Sequence, residues 1–199
     1  MSLTSSAISP KRNCTISRIA MAFVLVAVIA SVVIVRRATL GTVIVQEDKL
    51  QEGDIFFVDL YKGWSQGGYW DHVAFYAGGG VVEATFNLGV CYTPLQAFLD
   101  RDRPAGIAVR RLKDMPGREE LIQKAVDYAL SEVGRPFDYT ATATIPLKLS
   151  KDRVDCAGVV WRAYLAAGVN LDSNDGPTLY PDDIYFSPKV EAVPMLVHA

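Results

Sequence analysis

The sequence predicts an α+β domain in which an antiparallel sheet, laid down early in the chain, packs against a helix that begins at a cysteine. Three observations carry this expectation. Short apolar runs rich in β-branched and aromatic residues occupy 55–58, 71–77 and 81–85, with glycine-rich breaks between them. Two later segments, 118–133 and the stretch after Cys156, repeat their apolar residues at helical three-and-four spacing. No internal repeat and no Rossmann-type glycine fingerprint interrupts the pattern.

In chain order, residues 39–50 read as a short strand and a polar link. Gly53-Asp54 then form a turn that opens the strand 55–58. Residues 61–70, rich in Gly, Trp and Tyr without a period, read as a loop whose aromatics Trp64, Tyr69 and Trp70 are candidates to line a cleft. The strand 71–77 meets Gly78-Gly79-Gly80, a tight turn, and 81–85 returns as the second arm of a hairpin. A short strand is expected at 89–92 and a short helix at 94–99, with Thr93 as cap and Pro94 in the first position. Residues 107–112 read as a further strand.

The helix expected over 118–133 places Leu121, Ile122, Ala125, Val126, Ala129 and Leu130 on one stripe and stops at Gly134. Residues 134–139 form a turn or an irregular extended piece, with Tyr139 a further candidate for the cleft. Residues 140–151 read as an insert lying over or beside the cleft, its apolar members either packed onto the domain, the preferred reading, or approaching a membrane or lipid substrate. Asp155 caps the next helix, whose face of Val159, Val160, Ala163, Tyr164 and Ala167 ends at Gly168. The proline- and aspartate-rich tail, 176–183, is expected to wrap the surface as irregular structure.

At 199 residues the chain suits one domain with a full core. Its net charge of −2 hides an asymmetry. Lys11, Arg12, Arg18, Arg36 and Arg37 make the first 40 residues +5, which leaves −7 on the rest. An acidic body without a sizeable basic patch argues against nucleic-acid binding. Between Arg18 and Arg36 run seventeen residues, 19–35, with Ser31 the only polar one. Of three readings, a membrane anchor fits best, because arginines bound an uninterrupted apolar run of about the minimum spanning length. A cleaved signal, with Val28-Ile29-Ala30 as the cut site, is challenged by the apolar residues beyond it. A buried core helix fits the flanking charge poorly.

The expected organisation is therefore a basic segment 1–18, a single-pass anchor 19–35 and a catalytic domain 36–199. Three basic residues before the span and two after it favour an extracytoplasmic domain by a margin of one charge. Cys14, Cys91 and Cys156 do not decide the compartment. Asn13-Cys14-Thr15 matches a glycosylation sequon, but on the opposite side of the membrane from an external domain, and we read it as chance.

Cys156 stands at the first turn of its helix, where unpaired backbone N–H groups and the helix dipole favour a thiolate and can receive an oxyanion. The adjacent Asp155 opposes this, so an imidazolium partner is needed. His72 is the candidate, since His198 is the second-last residue. A third group should orient the ring. Glu83 suits it, because the glycine turn folds 81–85 back along 72–77 and Glu83 interrupts an apolar strand where a carboxylate needs a partner. Taken singly, the cysteine could be packed core, the histidine structural and the glutamate solvent-facing. One usable histidine and one cysteine do not make a zinc site, and neither metal nor cofactor is expected.

Gly53-Asp54-Ile55-Phe56-Phe57, His72-Val73-Ala74-Phe75-Tyr76, Val82-Glu83-Ala84, Gly134-Arg135-Pro136-Phe137-Asp138 and Asp155-Cys156-Ala157-Gly158-Val159 together resemble the NlpC/P60 superfamily of papain-like hydrolases. The similarity spans roughly residues 50–171. Histidine before cysteine reverses the usual order and resembles the circularly permuted branch typified by the YiiX/YaeF-like proteins. The resemblance implies a circularly permuted papain-like fold with its antiparallel sheet against the cysteine-bearing helix, with Cys156 as nucleophile, His72 as base and Glu83 as the polar third member. It implies a thiol amidase, peptidase or acyl-transfer enzyme acting through a thioester on a cell-wall peptide, an acylated amino acid or a lipid. Many relatives carry serine directly after the cysteine, where this chain has Ala157. That departure keeps open a catalytically weak binding or scaffold module of the same fold. Asp54 is expected to be structural, and the sequence indicates no oligomeric state.

Overall fold

The computed structural model describes residues 45–60, 68–101, 106–139, 148 and 150–194. All belong to one compact unit spanning Val43–Val197. The N-terminal segments 1–18 and 19–35 lie outside the described residues, as do Trp64 and most of the insert 140–151. Among the described residues no helix is long and apolar enough to cross a membrane.

Among the described residues, six strands form one sheet: β1 (Ile55–Asp59), β2 (His72–Tyr76), β3 (Gly80–Thr85), β4 (Gly89–Pro94), β5 (Gly106–Leu112) and β6 (Val190–Val193). Their order is β4-β3-β2-β1-β5-β6, and every neighbouring pair is antiparallel. Four helices accompany it: α1 (Leu95–Asp100), α2 (Arg118–Ser131), α3 (Cys156–Ala166) and α4 (Pro181–Tyr185). The β2–β3 connection needs two consecutive residues with positive φ, supplied by Gly78 (79°) and Gly79 (66°), and closes with Ala77 N–H donating to Gly80 O at 2.9 Å.

The central strands read as continuous apolar runs because both of their faces are buried. Ile55, Phe57, Val73, Phe75, Val82 and Ala84 pack with α2 and α3 in one core. Phe56, Val58, Ala74, Tyr76 and Val81 pack with Leu95 and Phe98 of α1 in a second. Gly89 admits a close approach from the segment after α2, since a Cβ there would lie 2.3 Å from Arg135 O. That approach lets Val90 N–H reach Arg135 O and Gly134 N–H reach Val90 O. It also places Phe137 in a parallel bridge with Val154, two residues before Cys156.

Three expectations change. Thr93 does not cap α1: it lies in β4, and its hydroxyl donates to Glu83 instead. The helix expected over 118–133 closes at Ser131, and Leu130 of its expected apolar stripe is exposed. The tail is more ordered than its composition implies. Pro181 starts α4, the Asp183 carboxylate accepts the Tyr180 N–H, and β6 pairs with the edge of β5. Both elements are too short to show a period. Residues 45–50, in the region expected to be the polar link, hold a 3-10 turn, Glu47–Lys49, while residues 39–44, where the short strand is expected, lie outside the described residues.

Asp54 plays the structural role expected of it. Its fully buried carboxylate accepts Gln51 N–H at 2.9 Å and both arms of Arg111, each at 2.7 Å. Removing the cation leaves a buried charge uncompensated. Arg111→Ala is therefore expected to lower the unfolding free energy in urea by about 3 kcal/mol. A change below ~0.5 kcal/mol would show that the pair is dispensable.

Candidate active site

Cys156 is the first residue of α3 and is partly exposed. The helix starts here because Asp155, in extended conformation, accepts the Gly158 N–H through Oδ1 at 2.7 Å. The ladder then begins with Val159 N–H donating to Asp155 O, ahead of which stand the first-turn N–H groups of Cys156 and Ala157. The Ala157 side chain is fully buried in the core.

His72 opens β2, and its ring is acted on from two sides. Nε2 lies 2.7 Å from Glu83 Oε2, and the Cys156 thiol is near enough to favour the charged form of the ring. With Nε2 taken by Glu83, Nδ1 is the nitrogen left for the thiol. Phe98 of α1 lies against the same ring at 6.4 Å between centroids. The β2–β3 register pairs Phe75 with Val82, so continuing it puts Glu83 opposite Ala74 and diagonal to His72. Cys156, His72 and Glu83, each expected from sequence to belong to one site, thus meet in one cluster.

Glu83 is completely buried, and its environment contains two residues that sequence reasoning missed. Thr93 donates to Oε1 at 2.6 Å. Arg101, which follows α1 as its C-cap, grips both oxygens, Nη1 to Oε1 at 2.7 Å and Nη2 to Oε2 at 2.6 Å. The register signals Thr93, since Val81 pairs with it and Glu83 with Cys91, putting Thr93 and Glu83 diagonally on one face. Arg101 sits in a run of alternating aspartate and arginine that reads as solvated charge. Its only sequence signal is the need of a buried carboxylate for a cation.

These contacts set the protonation states. Burial alone would lower the His72 pKa, but the hydrogen bonds to Cys156 and Glu83, with their charges, raise it to about 9. Burial alone would raise that of Glu83, but the hydrogen bonds from His72 and Arg101 bring it to about 2. The favoured state near neutrality is an imidazolium beside a carboxylate. Asp155 is displaced the other way, to about 6, by burial and the charge of Asp138, against the opposing Gly158 N–H.

The aromatic candidates separate. Trp70 is buried between Phe57 and Tyr185, while Tyr69 is exposed. Tyr139 is half-exposed and joins Phe137 and Phe86, with ring centroids 4.6 Å apart for Phe86–Phe137 and 5.3 Å for Phe137–Tyr139. Phe86 and the neighbouring Leu88 are 58% and 71% exposed. Because Phe137 bridges Val154, this apolar patch flanks the segment leading into Cys156.

Residues 49–186 match the family described as permuted papain-like amidase enzyme, YaeF/YiiX, C92 family. The chain belongs to that family. Its members are cysteine-type amidases and peptidases, and this amidase is accordingly a thiol hydrolase. The mixed fold with its antiparallel sheet is the permuted papain-like α+β fold. It resembles a crystal structure described as the metalloprotein YiiX from Escherichia coli O157:H7, with a TM-score of 0.57, 20% identity, and coverage of 75% of this chain and 99% of that one. No curated protein sequence matches the chain. Among the described residues of the amidase, no group of three or more His, Cys, Asp or Glu side chains is arranged to hold a metal ion.

The pKa displacements predict how stability depends on pH. His72 binds its proton more tightly folded, about 9 against 6.5, so its contribution is complete below pH 6.5 and lost as pH rises through 9. Glu83, lowered from 4.5 to about 2, contributes fully above pH 4.5 and loses its contribution as pH falls through 2. Urea denaturation should show stability falling by about 3 kcal/mol between pH 6.5 and 9, and His72→Gln should flatten that limb. Asp155, raised from 3.8 to about 6, makes the fold less stable as pH rises through that interval, and Asp155→Asn, which keeps a competent cap, should remove the loss. A limb between pH 6.5 and 9 that persists in His72→Gln would assign it to another group.

Proposed function

We propose that the amidase uses Cys156 as nucleophile, His72 as its proton partner and Glu83 as the group that orients the ring. One observation carries the reading: His72, hydrogen-bonded through Nε2 to the buried Glu83 carboxylate, has its ring within the influence of the Cys156 thiol at the N-terminus of α3. The Cys156 thiolate attacks the carbonyl carbon of an amide or ester. The carbonyl electron pair moves to oxygen, and the N–H groups of Cys156 and Ala157 receive it. As the bond to the leaving amine or alcohol breaks, the imidazolium gives that group its proton, leaving a thioester and a neutral ring. His72 then takes a proton from water, whose oxygen attacks the thioester, and collapse releases the acid and restores the thiolate.

The substrate class this surface fits is an acylated amino acid or related lipid-linked amide of the cell envelope. Phe86, Leu88 and Tyr139 offer an acyl chain an apolar bed flanking the segment that leads into Cys156, which a polar cell-wall peptide would not use. The apolar run 19–35 supports carriage on a membrane, with the domain outside the cytoplasm. An anchored enzyme would require detergent for extraction, whereas release by alkaline carbonate would contradict the anchor. Ala157 is compatible with the contrasting reading of a binding module that performs no hydrolysis.

Intact-mass trapping separates these readings. Exposure to acylated amino acids, phospholipids and cell-wall peptides should load an acyl group on Cys156, with the acylated amino acids fastest. The adduct should be absent in Cys156→Ala and form about a hundredfold more slowly in His72→Ala. Loading on Cys91, or binding without any adduct, would overturn the proposed mechanism.

A further inference from the structure

A buried carboxylate that orients a catalytic imidazole has two tasks that conflict. It must hold the ring in place, yet a carboxylate given wholly to the imidazolium locks the proton on and deprives the second half-reaction of its base. At Glu83 a third party divides the charge. Arg101 binds both carboxylate oxygens, and one of them, Oε2, is the oxygen that also accepts from His72. The guanidinium lies 5.6 Å from the centre of the Phe98 ring, which itself faces His72. Helix α1 therefore delivers both a wall for the imidazole and a cation for its partner.

We infer that Arg101 is a positioning residue: its two-pronged grip fixes the Glu83 carboxylate and shares its charge, so that the His72 imidazolium is oriented but holds its proton less tightly than Glu83 alone would make it. The inference rests on the proposed roles of Cys156, His72 and Glu83 and adds the regulation of that site's proton. The charged and titratable groups on the surrounding elements are Asp59 at the end of β1, Asp71 before β2, Glu83 on β3, Cys91 on β4, Arg101 after α1, and Asp155 with Cys156 at the head of α3. Of these, Cys156 and Glu83 act most strongly on the ring. Arg101 acts on it through Glu83, whose hydrogen bonds with His72 and Arg101 are the chief influences favouring its ionised form. Thr93, the remaining donor to Glu83, is neutral and can hold the carboxylate without offsetting its charge.

The test is a histidine-selective 15N NMR titration of the full-length chain, which contains only two histidines, with His198 near the terminus as an internal reference. In Arg101→Met and Arg101→Gln the midpoint of His72 should rise by about one pH unit, because the carboxylate no longer has a second cation to serve. Arg101→Lys, which keeps the charge but not the fork, should move it by less than about half as much. A purely structural arginine would leave the midpoint of the folded variants unchanged. An unchanged or lowered midpoint in both neutral variants, or failure of both to fold while Arg101→Lys folds and titrates as the parent, would overturn the inference. Cys156→Ala, titrated in parallel, tests the underlying reading separately: a midpoint that ignores loss of the thiol would contradict the Cys156–His72 pair, whatever Arg101 does.

Discussion

A carboxylate with no access to water must be surrounded by donors, and Glu83 imposes this on β3 and the elements packed around it. Its side chain is as buried as those of Val81 and Val82 beside it, yet it accepts hydrogen bonds from His72, Thr93 and Arg101. An ion so placed costs several kcal/mol unless these partners are present together. The β3–β4 register supplies Thr93, the end of α1 supplies Arg101, and the first residue of β2 supplies His72. The site is the solution to a burial problem before it is a catalytic arrangement.

From that constraint the chemistry follows in steps. Glu83 fixes Nε2 of the ring, which leaves Nδ1 for a partner from the opposite side. Helix α3 provides the partner because Asp155 caps it and because Val159, Val160, Ala163 and Tyr164 anchor its apolar face against the sheet. The cysteine therefore arrives at the ring on the one turn of the helix whose N–H groups have no internal acceptor. The reversal of chain order, histidine 84 residues before cysteine, changes the connections but not this meeting of strand end and helix start. The same geometry occupies Asp155, next to Cys156, since its Oδ1 is committed to the helix cap and burial raises its pKa.

The strands, the glycine turn and the cysteine helix were legible in the sequence because each has a period or a punctuating residue that local physics enforces. Cys156, His72 and Glu83 were legible for a different reason, since each is chemically out of place where it stands. The elements that escaped are short or defined by distant partners. Neither α4 nor β6 is long enough to display a period, and β6 exists only because the edge of β5 is available. Thr93 was misread because a threonine before proline is a good helix cap in isolation; a buried carboxylate on the neighbouring strand makes a stronger claim on its hydroxyl. Arg101 looked like surface charge because nothing near it in sequence reveals that it folds onto residue 83.

Activation of Cys156 by His72 is read out by iodoacetamide labelling at neutral pH of Cys91 and Cys156, both partly exposed. Cys156 should be alkylated at least tenfold faster than Cys91, and His72→Ala should erase most of the difference. Equal rates at Cys91 and Cys156 of the parent protein, or a fast Cys156 that persists without His72, would contradict activation by His72.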